Sequence, residues 1–300
     1  MNNSLARIAG AVVAALVLGG CGHTTPITSG SPTPGPPYVP NVSNEYPIPT
    51  PNAKPLNIAL GEDGNLWFTE SATSQIGKVS TSGSSFVECK LPTEGAAAPT
   101  PYGIVSDNEG NLWVTDPGSN AVWMVTTTCQ ATYYPLATGN AGPESIAVGA
   151  NGALWFTEAN VSKIGEILPG TAGGTSPMEF SVSAGAGLGT IVSGADNALW
   201  FTETASDKLG RMLTNGTLES ETPLTGVKTP TSLVLGPDGN FYIGDPGNSA
   251  IAQYITSSGK ITEYPTKTAN AGIGALAIGP DNEVYFTEPT ANNIGQFRYF

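Results

Sequence analysis

Six acidic residues recur at equivalent points of a repeated phrase, which reads LWFTE in three of its copies. Carboxylates that meet around one opening can bind a metal ion or a cationic ligand. An acid closes every copy of the phrase, and the six residues are Glu70, Asp116, Glu158, Glu203, Asp245 and Glu288. Whether they form a binding site depends on how far apart the fold holds them.

The spacing of the phrase predicts a ring of small sheets. Its aromatic residue recurs at intervals of 46, 42, 45, 42 and 43 residues, at Trp67, Trp113, Trp155, Trp200, Tyr242 and Tyr285. Such a period, with four short strands per unit, is typical of a β-propeller blade. The sequence therefore predicts an all-β fold, a six-bladed β-propeller of four-stranded antiparallel blades. Five or seven blades are the alternatives if a degenerate unit lies within 92–100 or 169–187.

The unit at residues 231–268 shows the expected pattern of strands and turns. Gly and Asn in the turns tolerate positive φ, and the second strand is apolar on both faces, as a sheet packed between two others requires. The four predicted strands are Ser232–Leu235, Asn240–Gly244, Ala250–Ile255 and Ile261–Tyr264. The Trp residues at 67, 113, 155 and 200 are expected in the core rather than as platforms for sugars.

The two ends of the chain predict how the ring closes. The last unit stops after its third strand, Asn293–Phe297, and lacks an outer strand. Residues 45–50, EYPIPT, match the outer strand EYPTKT at 263–268. We expect the N-terminal segment to complete the last blade, with Tyr46 beside Phe297, so that no sheet edge stays unpaired between the first and last blades.

This geometry limits what the acidic ring can do. The second strand lies about 10 Å from the axis, so neighbouring acids are also about 10 Å apart and repel by only about 0.4 kcal/mol in water. Six such side chains cannot converge on one Ca²⁺, which needs oxygens at about 2.3–2.6 Å. The favoured interpretation is that each acid accepts hydrogen bonds from backbone N–H groups of the following loop. The alternative is that a subset contacts a metal or a ligand.

The charge of the chain argues against a nucleic-acid partner. Its formal net charge is −13, and its eleven Lys and Arg residues are scattered rather than clustered. Phosphate neutralisation by such a surface would be weak.

The first 44 residues are expected to be a targeting segment rather than part of the fold. Arg7 precedes a short apolar run, Ile8 to Leu18, which is too short to span a bilayer. The following Leu-Gly-Gly-Cys resembles a bacterial lipobox, which predicts a signal peptide at 1–20 and lipidation of Cys21; the alternative is an ordinary signal with a chance Cys. Residues 21–44 are rich in Pro, Ser and Thr and predict a tether to a propeller at 45–300. We therefore expect a lipid-anchored, extracytoplasmic protein at the cell envelope.

The two remaining cysteines, Cys89 and Cys129, lie 40 residues apart, close to one repeat length. An oxidising compartment would permit a disulfide between neighbouring repeats. Cys89 falls in a strand and Cys129 near a turn, so the sequence leaves the bridge open.

Units such as GPDGNFY and NGALWFTEANVSKIG resemble the streptogramin B lyase (virginiamycin B lyase) family and, more distantly, NHL-repeat propellers. The resemblance covers about 45–300. It implies catalysis by histidines that precede the first strand of a blade, with a Glu and a magnesium ion. The matching positions here are Leu56, Tyr102, Glu144, Gly189, Thr231 and Gly274. None is His, and the single histidine, His23, precedes the propeller, so no catalytic residue carries over.

Tyr102 and Glu144 stand out among these six positions. They are expected at the channel mouth in adjacent blades, either as solvated rim residues or, with Glu158, as the lining of a weakly acidic pocket for a polar or cationic ligand. Six-bladed lactonase-type propellers hold calcium with acidic and amide side chains. Asn57, Glu144 and Glu158 match part of such a set.

The sequence thus favours a monomeric, non-catalytic binding or scaffold propeller whose partner is a protein, a glycan or a small molecule. The alternative is a divergent lyase-like or lactonase-like enzyme that uses carboxylates and Mg²⁺ or Ca²⁺. No cofactor is assigned from the sequence.

Overall fold

The structure is a computed structural model, and it describes residues 47–83, 85–94, 97–168, 170–270, 272–279, 282–291 and 293–298. Within these ranges the chain forms 23 strands and no helix, in six antiparallel sheets that follow one another around a central axis. No helix able to cross a membrane is found in the described residues.

The first three blades are each four-stranded. Blade 1 contains β1 (Pro55–Leu60), β2 (Leu66–Glu70), β3 (Gln75–Val79) and β4 (Phe86–Lys90). Blade 2 contains β5 (Ile104–Ser106), β6 (Asn111–Asp116), β7 (Ala121–Thr126) and β8 (Ala131–Pro135). Blade 3 contains β9 (Pro143–Val148), β10 (Leu154–Glu158), β11 (Lys163–Ile167) and β12 (Met178–Ser181).

The last three blades repeat this order, with three strands described in blade 6. Blade 4 contains β13 (Leu188–Ser193), β14 (Leu199–Glu203), β15 (Lys208–Met212) and β16 (Leu218–Pro223). Blade 5 contains β17 (Ser232–Leu235), β18 (Phe241–Asp245), β19 (Ala250–Ile255) and β20 (Lys260–Pro265). Blade 6 contains β21 (Leu276–Ile278), β22 (Val284–Glu288) and β23 (Asn293–Phe297).

The predicted six-bladed propeller is confirmed. In blade 5 the first and third strands have the predicted bounds, and the second and fourth differ from prediction by one residue at each end. The alternative counts of five or seven blades are wrong. Within the described parts of 92–100 and 169–187 there is one strand, β12, and it belongs to blade 3.

The second strand of each blade is buried because it packs between two neighbouring sheets. Trp67 and Trp155 are fully buried, and Trp113 and Trp200 are nearly so, which confirms their place in the core. Each contributes about 2–3 kcal/mol by burial. The indole Nε1 of Trp113 also donates to Asp107 in the preceding turn at 2.8 Å.

The recurring Ile-Gly of the third strand has a packing cause. Phe68 lies opposite Gly77, and a Cβ added to that glycine would meet the Phe68 ring at 2.1 Å. The same pairing joins Phe156 to Gly165, Phe201 to Gly210 and Phe286 to Gly295. Blades 2 and 5 have Val114 and Ile243 in place of the Phe, and there the third strand carries Trp123 and Ala252 instead of Gly.

Hydrophobic clusters seal the contacts between consecutive blades from blade 1 to blade 6. The described residues show no such cluster between blades 6 and 1. There Ile58 of β1 and Ile294 of β23 are 61% and 69% exposed. The predicted closing contact of Tyr46 with Phe297 lies on this side of the ring, and Tyr46 falls outside the described residues.

One repeated contact supports the expected closure. The outer-strand Glu179 of blade 3 accepts hydrogen bonds from the N–H and hydroxyl of Thr138, just after the outer strand of blade 2. Ser183, just after the outer strand of blade 3, makes the same pair of bonds to Glu221 of blade 4. Thr50 makes it to Glu88 of blade 1. Thr50 therefore stands where a residue following an outer strand of blade 6 would stand.

The bridge that the sequence left open is present in the structure. Cys89 of β4 and Cys129 in the turn after β7 form a disulfide with a Cα–Cα distance of 5.2 Å. Because it joins blades 1 and 2 across 40 residues, it constrains the unfolded chain. The predicted signal peptide at 1–20, lipidation of Cys21 and tether at 21–44 all lie outside the described residues.

Candidate functional site

The threonine of the repeated phrase positions the inner strands around the axis. Thr115 Oγ1 accepts a hydrogen bond from the N–H of Gly103 in its own blade at 2.8 Å and donates to the carbonyl of Glu144 in the next. The Thr69 hydroxyl likewise accepts from the N–H of Asn57 and donates to the carbonyl of Tyr102. The Thr157 hydroxyl accepts from the N–H of Ser145 and donates to the carbonyl of Gly189. One buried hydroxyl therefore fixes the height of two neighbouring inner strands.

These inner strands enclose a central cavity of about 500 Å³. All six positions that the repeat alignment placed at the mouth line it: Leu56, Tyr102, Glu144, Gly189, Thr231 and Gly274. The wall therefore contains a different kind of group in nearly every blade. The rest of the lining is mostly aliphatic, with Asn57, Ser145, Thr190 and Ser232 adding polar atoms.

Glu144 and Tyr102 give the cavity its charge and its aromatic surface. Burial raises the pKa of Glu144, since water is partly removed from its carboxylate. Burial and, secondarily, the nearby charge of Glu144 raise the pKa of Tyr102. Both residues, which belong to adjacent blades, line the same cavity. Tyr102 is 37% exposed, so its ring is accessible from solvent.

Blade 5 breaks the threonine pattern. Its second strand ends Ile-Gly-Asp, so Gly244 stands where the other blades have Thr. Ser232 Oγ fills that space, 2.3 Å from where a Cβ on Gly244 would lie. The hydroxyl oxygens of Thr231 and Ser232 are buried and have no hydrogen-bond partner in the described chain. The repeat alignment included Thr231 but not Ser232, and it did not predict that either hydroxyl lacks a partner, although the departure of FYIGD from LWFTE marks blade 5 as different.

The acidic ring lies outside the cavity. All six acids end a second strand, as predicted, and all are at least 96% buried. None lines the cavity, which the inner strands enclose one strand spacing closer to the axis. The prediction that Glu158 joins Tyr102 and Glu144 in a pocket is therefore wrong. A ligand-binding role was also considered for the other five acids, and none of them lines the cavity: Glu70, Asp116, Glu203, Asp245 and Glu288.

Two acids bind the following loop as expected. Asp116 accepts hydrogen bonds from the N–H of Ser119 at 3.2 Å and of Thr100 at 2.7 Å, and from the indole of Trp123 at 2.9 Å. Asp245 accepts from the N–H of Asn248 at 3.0 Å in the same way.

The prediction is wrong for three of the glutamates, because the side chain is one methylene longer. Glu70 and Glu203 each accept a hydrogen bond from the hydroxyl three residues on, that of Thr73 at 3.2 Å and that of Ser206 at 2.7 Å. Each keeps one oxygen without a partner among the described residues. At Glu158 the third residue on is Val161, and neither carboxylate oxygen has a partner in the described chain.

Glu158 is consequently the most perturbed acid of the ring. Burial raises its pKa to about 7, with a further contribution from the charge of Glu179 and an opposing one from Lys163. Lys163 Nζ forms an ion pair with Glu179 at 2.7 Å, and this pairing weakens the effect by which Lys163 lowers the pKa of Glu158. A perturbed pKa often marks catalysis, but here the carboxyl is sealed inside a blade.

The cavity does not fit a divalent cation. Among the described residues no group of three His, Cys, Asp or Glu could hold a metal ion. Of the lactonase-like set, Glu158 lies outside the cavity, and the side-chain amide of Asn57 donates to Tyr102 O at 3.0 Å. One carboxylate is left, whereas Ca²⁺ takes about 6–8 oxygens.

Comparison with known proteins identifies the relatives of this propeller. A model of the virginiamycin B lyase family matches residues 41–176 and 171–299. The chain belongs to the virginiamycin B lyase family. No curated protein sequence matches it significantly.

Solved structures agree with this family membership. Virginiamycin B lyase from Staphylococcus aureus is 28% identical over 86% of this chain and 84% of its own, with a TM-score of 0.78. A catalytically inactive histidine-to-alanine variant of that enzyme, with quinupristin, is 27% identical over 87% of this chain and 86% of its own, with a TM-score of 0.77. A streptogramin B lyase is 30% identical over 86% of this chain and 87% of its own, with a TM-score of 0.73. A Xanthomonas campestris gluconolactonase, 12% identical over 78% of this chain and 82% of its own with a TM-score of 0.56, shares the fold alone.

This member of the virginiamycin B lyase family has no histidine at the six aligned cavity positions. Its one histidine, His23, precedes the described propeller. The family is therefore shown, and the absence of histidine from these six positions is what distinguishes the cavity wall of this chain.

Proposed function

We propose that this propeller is a binding protein that takes a small ligand into its central cavity and does not open streptogramin B rings. The observation that carries the proposal is the identity of the six aligned cavity positions: Leu, Tyr, Glu, Gly, Thr and Gly. An elimination needs a group that removes a proton and one that assists the leaving group. In the described part of the chain, the ionisable groups on this wall are the carboxyl of Glu144 and the phenol of Tyr102.

The inactive Staphylococcus aureus variant supports this distinction between binding and turnover. Replacement of one histidine abolished catalysis by that enzyme, and the variant was still obtained with quinupristin. A propeller of this family without its histidine is therefore a plausible receptor. In the present chain every aligned position lacks histidine, so binding is the function that the cavity can still perform.

A small ligand suits the cavity better than a protein or glycan partner. A concave site of about 500 Å³ with aliphatic walls and a few polar groups matches the usual ligand pocket. The extracytoplasmic, lipid-anchored location expected from residues 1–44 belongs to the same proposal and would make the protein a monomeric receptor at the cell envelope. The carboxylate-and-cation enzyme is the weaker candidate, because the cavity has one carboxylate.

Two measurements on the full chain test the proposal. Ligand-observed NMR with a fragment library should yield ligands whose signals disappear in Leu56→Trp, a variant that fills the cavity from a half-exposed position. Hits that are all indifferent to Leu56→Trp would refute the cavity as the site. Quinupristin incubated with the protein and Mg²⁺ should elute unchanged in chromatography, and time-dependent ring opening would refute the non-catalytic assignment.

A further inference from the structure

The charge on the cavity wall is unbalanced. Among the described residues that line the cavity, Glu144 is the only Asp or Glu, and none is Lys or Arg. Its carboxylate forms no hydrogen bond or ion pair within the described chain, whereas its backbone carbonyl is held by Thr115. Solvent still reaches this half-buried carboxylate, and a bound cation would supply the charge partner that the described chain lacks.

The surroundings of this carboxylate are apolar. Leu56, Ile104, Ile146, Leu233, Ile273 and Leu276 line the cavity beside the ring of Tyr102. Aromatic faces attract ammonium groups, and aliphatic walls favour a ligand with a hydrocarbon body. An inorganic divalent cation would need oxygen ligands that this wall lacks.

On the opposite side of the cavity, the hydroxyl of a lining residue has no hydrogen-bond partner in the described chain. Thr231 belongs to blade 5, three blades from Tyr102 in a ring of six, and therefore lies across the axis from it. Its Oγ1 is buried without a hydrogen bond in the described chain. Buried polar groups are nearly always bonded in native proteins, so this hydroxyl is a second polar group of the wall residues without a partner in the described chain.

We infer that the ligand of this cavity is a small organic ammonium ion, with its cationic nitrogen at the Glu144 carboxylate and its apolar body against Tyr102 and the aliphatic wall. The inference rests on the proposed function and names its ligand class. The net charge of −13 favours the approach of such a cation over that of an anion.

The test uses 2-phenylethylammonium as the probe and 2-phenylethanol as its neutral counterpart, both titrated into the full chain at pH 7.5 and followed by ligand-observed NMR. The ammonium should bind at least about tenfold more tightly than the alcohol. Glu144→Gln should remove that preference, and Tyr102→Leu should weaken ammonium binding by a few-fold. Glu109→Gln, an equal charge change in an exposed turn, should leave both affinities unchanged.

The outcomes separate the ligand class from the proposed function. Equal binding of the alcohol and the ammonium, both abolished by Leu56→Trp, overturns the inference and leaves the cavity as a binding site. An ammonium preference that survives Glu144→Gln in a protein of unchanged melting temperature also overturns it. Failure of both probes to bind overturns it as well, and the library screen then decides the proposed function separately.

Discussion

Two concentric sets of side chains, both repeated six times, differ in what the repeat preserves. The outer set is the acid that ends each second strand, and it is Asp or Glu in every blade. The inner set is the residue that faces the cavity, and it changes from Leu to Tyr, Glu, Gly, Thr and Gly. The uniform set is buried inside the blades, and the varied set lines the central cavity.

This difference indicates that the polar residue repeated in every blade of this propeller has a structural role, while the residues that vary between blades determine what the cavity can bind. The uniform acids attach loops or terminate strands, as Asp116 does through the N–H groups of Thr100 and Ser119. The varied residues do not form a shared structural contact, and Glu144 has no side-chain partner in the described chain. Substitutions in the outer set should therefore change stability, and substitutions in the inner set should change binding.

The largest effect is expected for Asp116→Ala. The substitution leaves the N–H groups of Thr100 and Ser119, the Ser119 hydroxyl and the Trp123 indole without their acceptor. Unpaired buried donors are costly, so the free energy of unfolding should fall by at least about 3 kcal/mol. Urea denaturation measures it, with the exposed Glu109→Ala as the matched control. A loss below about 1 kcal/mol would remove the structural role from the outer set.

Glu158→Gln should stabilise the protein in a pH-dependent way. The native pKa of about 7 lies above the ordinary value of 4.5, so the folded state binds the proton more tightly than the unfolded state. Stability of the parent protein should therefore fall as pH rises from about 4.5 to 7 and then level off. Gln removes this cost, and its advantage should grow from near zero at pH 4 to about 2 kcal/mol at pH 8, allowing for solvent screening.

Chemical denaturation at several pH values checks this behaviour of Glu158. Lys163 and Glu179 are the charged groups that influence it. The same series in Glu109→Gln, an equal charge change in an exposed turn, serves as the control. An advantage of Glu158→Gln that is constant across pH would show that the folded and unfolded states bind this proton equally well, and that burial inside blade 3 does not raise the pKa of Glu158.

Thr157→Val should cost about 1–2 kcal/mol of unfolding free energy. The hydroxyl of Thr157 accepts from Ser145 N and donates to Gly189 O in the next blade, and Val keeps the shape while leaving both groups unpaired. Thr93→Val, in an exposed loop, is the control and should stay within about 0.5 kcal/mol. Equal melting curves for the two variants would show that the hydroxyl does not join the blades.

The smallest change in stability is expected in the inner set. Glu144→Gln removes a charge without a partner, so unfolding free energy should change by less than about 0.5 kcal/mol. Differential scanning calorimetry of this variant and its parent measures the change. A destabilisation comparable to that of Asp116→Ala would place Glu144 among the structural acids.

The sequence was sufficient for the fold because each blade repeats the same local signals. The aromatic-plus-acid phrase and its Gly turns located the second strands, and the alignment of six copies placed Leu56, Tyr102, Glu144 and their counterparts at the cavity. These features depend on strand order and period, which the spacing of residues determines.

The partners of the acids could not be predicted, because they depend on distances smaller than the repeat can specify. One methylene separates the loop-bonded Asp116 from Glu70, and the third residue on decides whether a hydroxyl is within reach, as Val161 shows for Glu158. The radius of the second strand also mattered, since one strand spacing of about 4.8 Å keeps Glu158 out of the cavity. The unpaired hydroxyls of Thr231 and Ser232 also lie in blade 5, where Gly244 replaces the Thr of the other blades and Ser232 Oγ fills the space, a packing effect that appears only in three dimensions.

The difference between the two sets is tested most directly by titrating 2-phenylethylammonium into the full chain and into two variants of equal charge, Glu144→Gln and Glu70→Gln. If the varied wall recognises the ligand and the uniform acids serve the fold, the inner substitution lowers affinity about tenfold and the outer one leaves it unchanged. Equal losses of affinity in the two correctly folded variants would contradict that assignment.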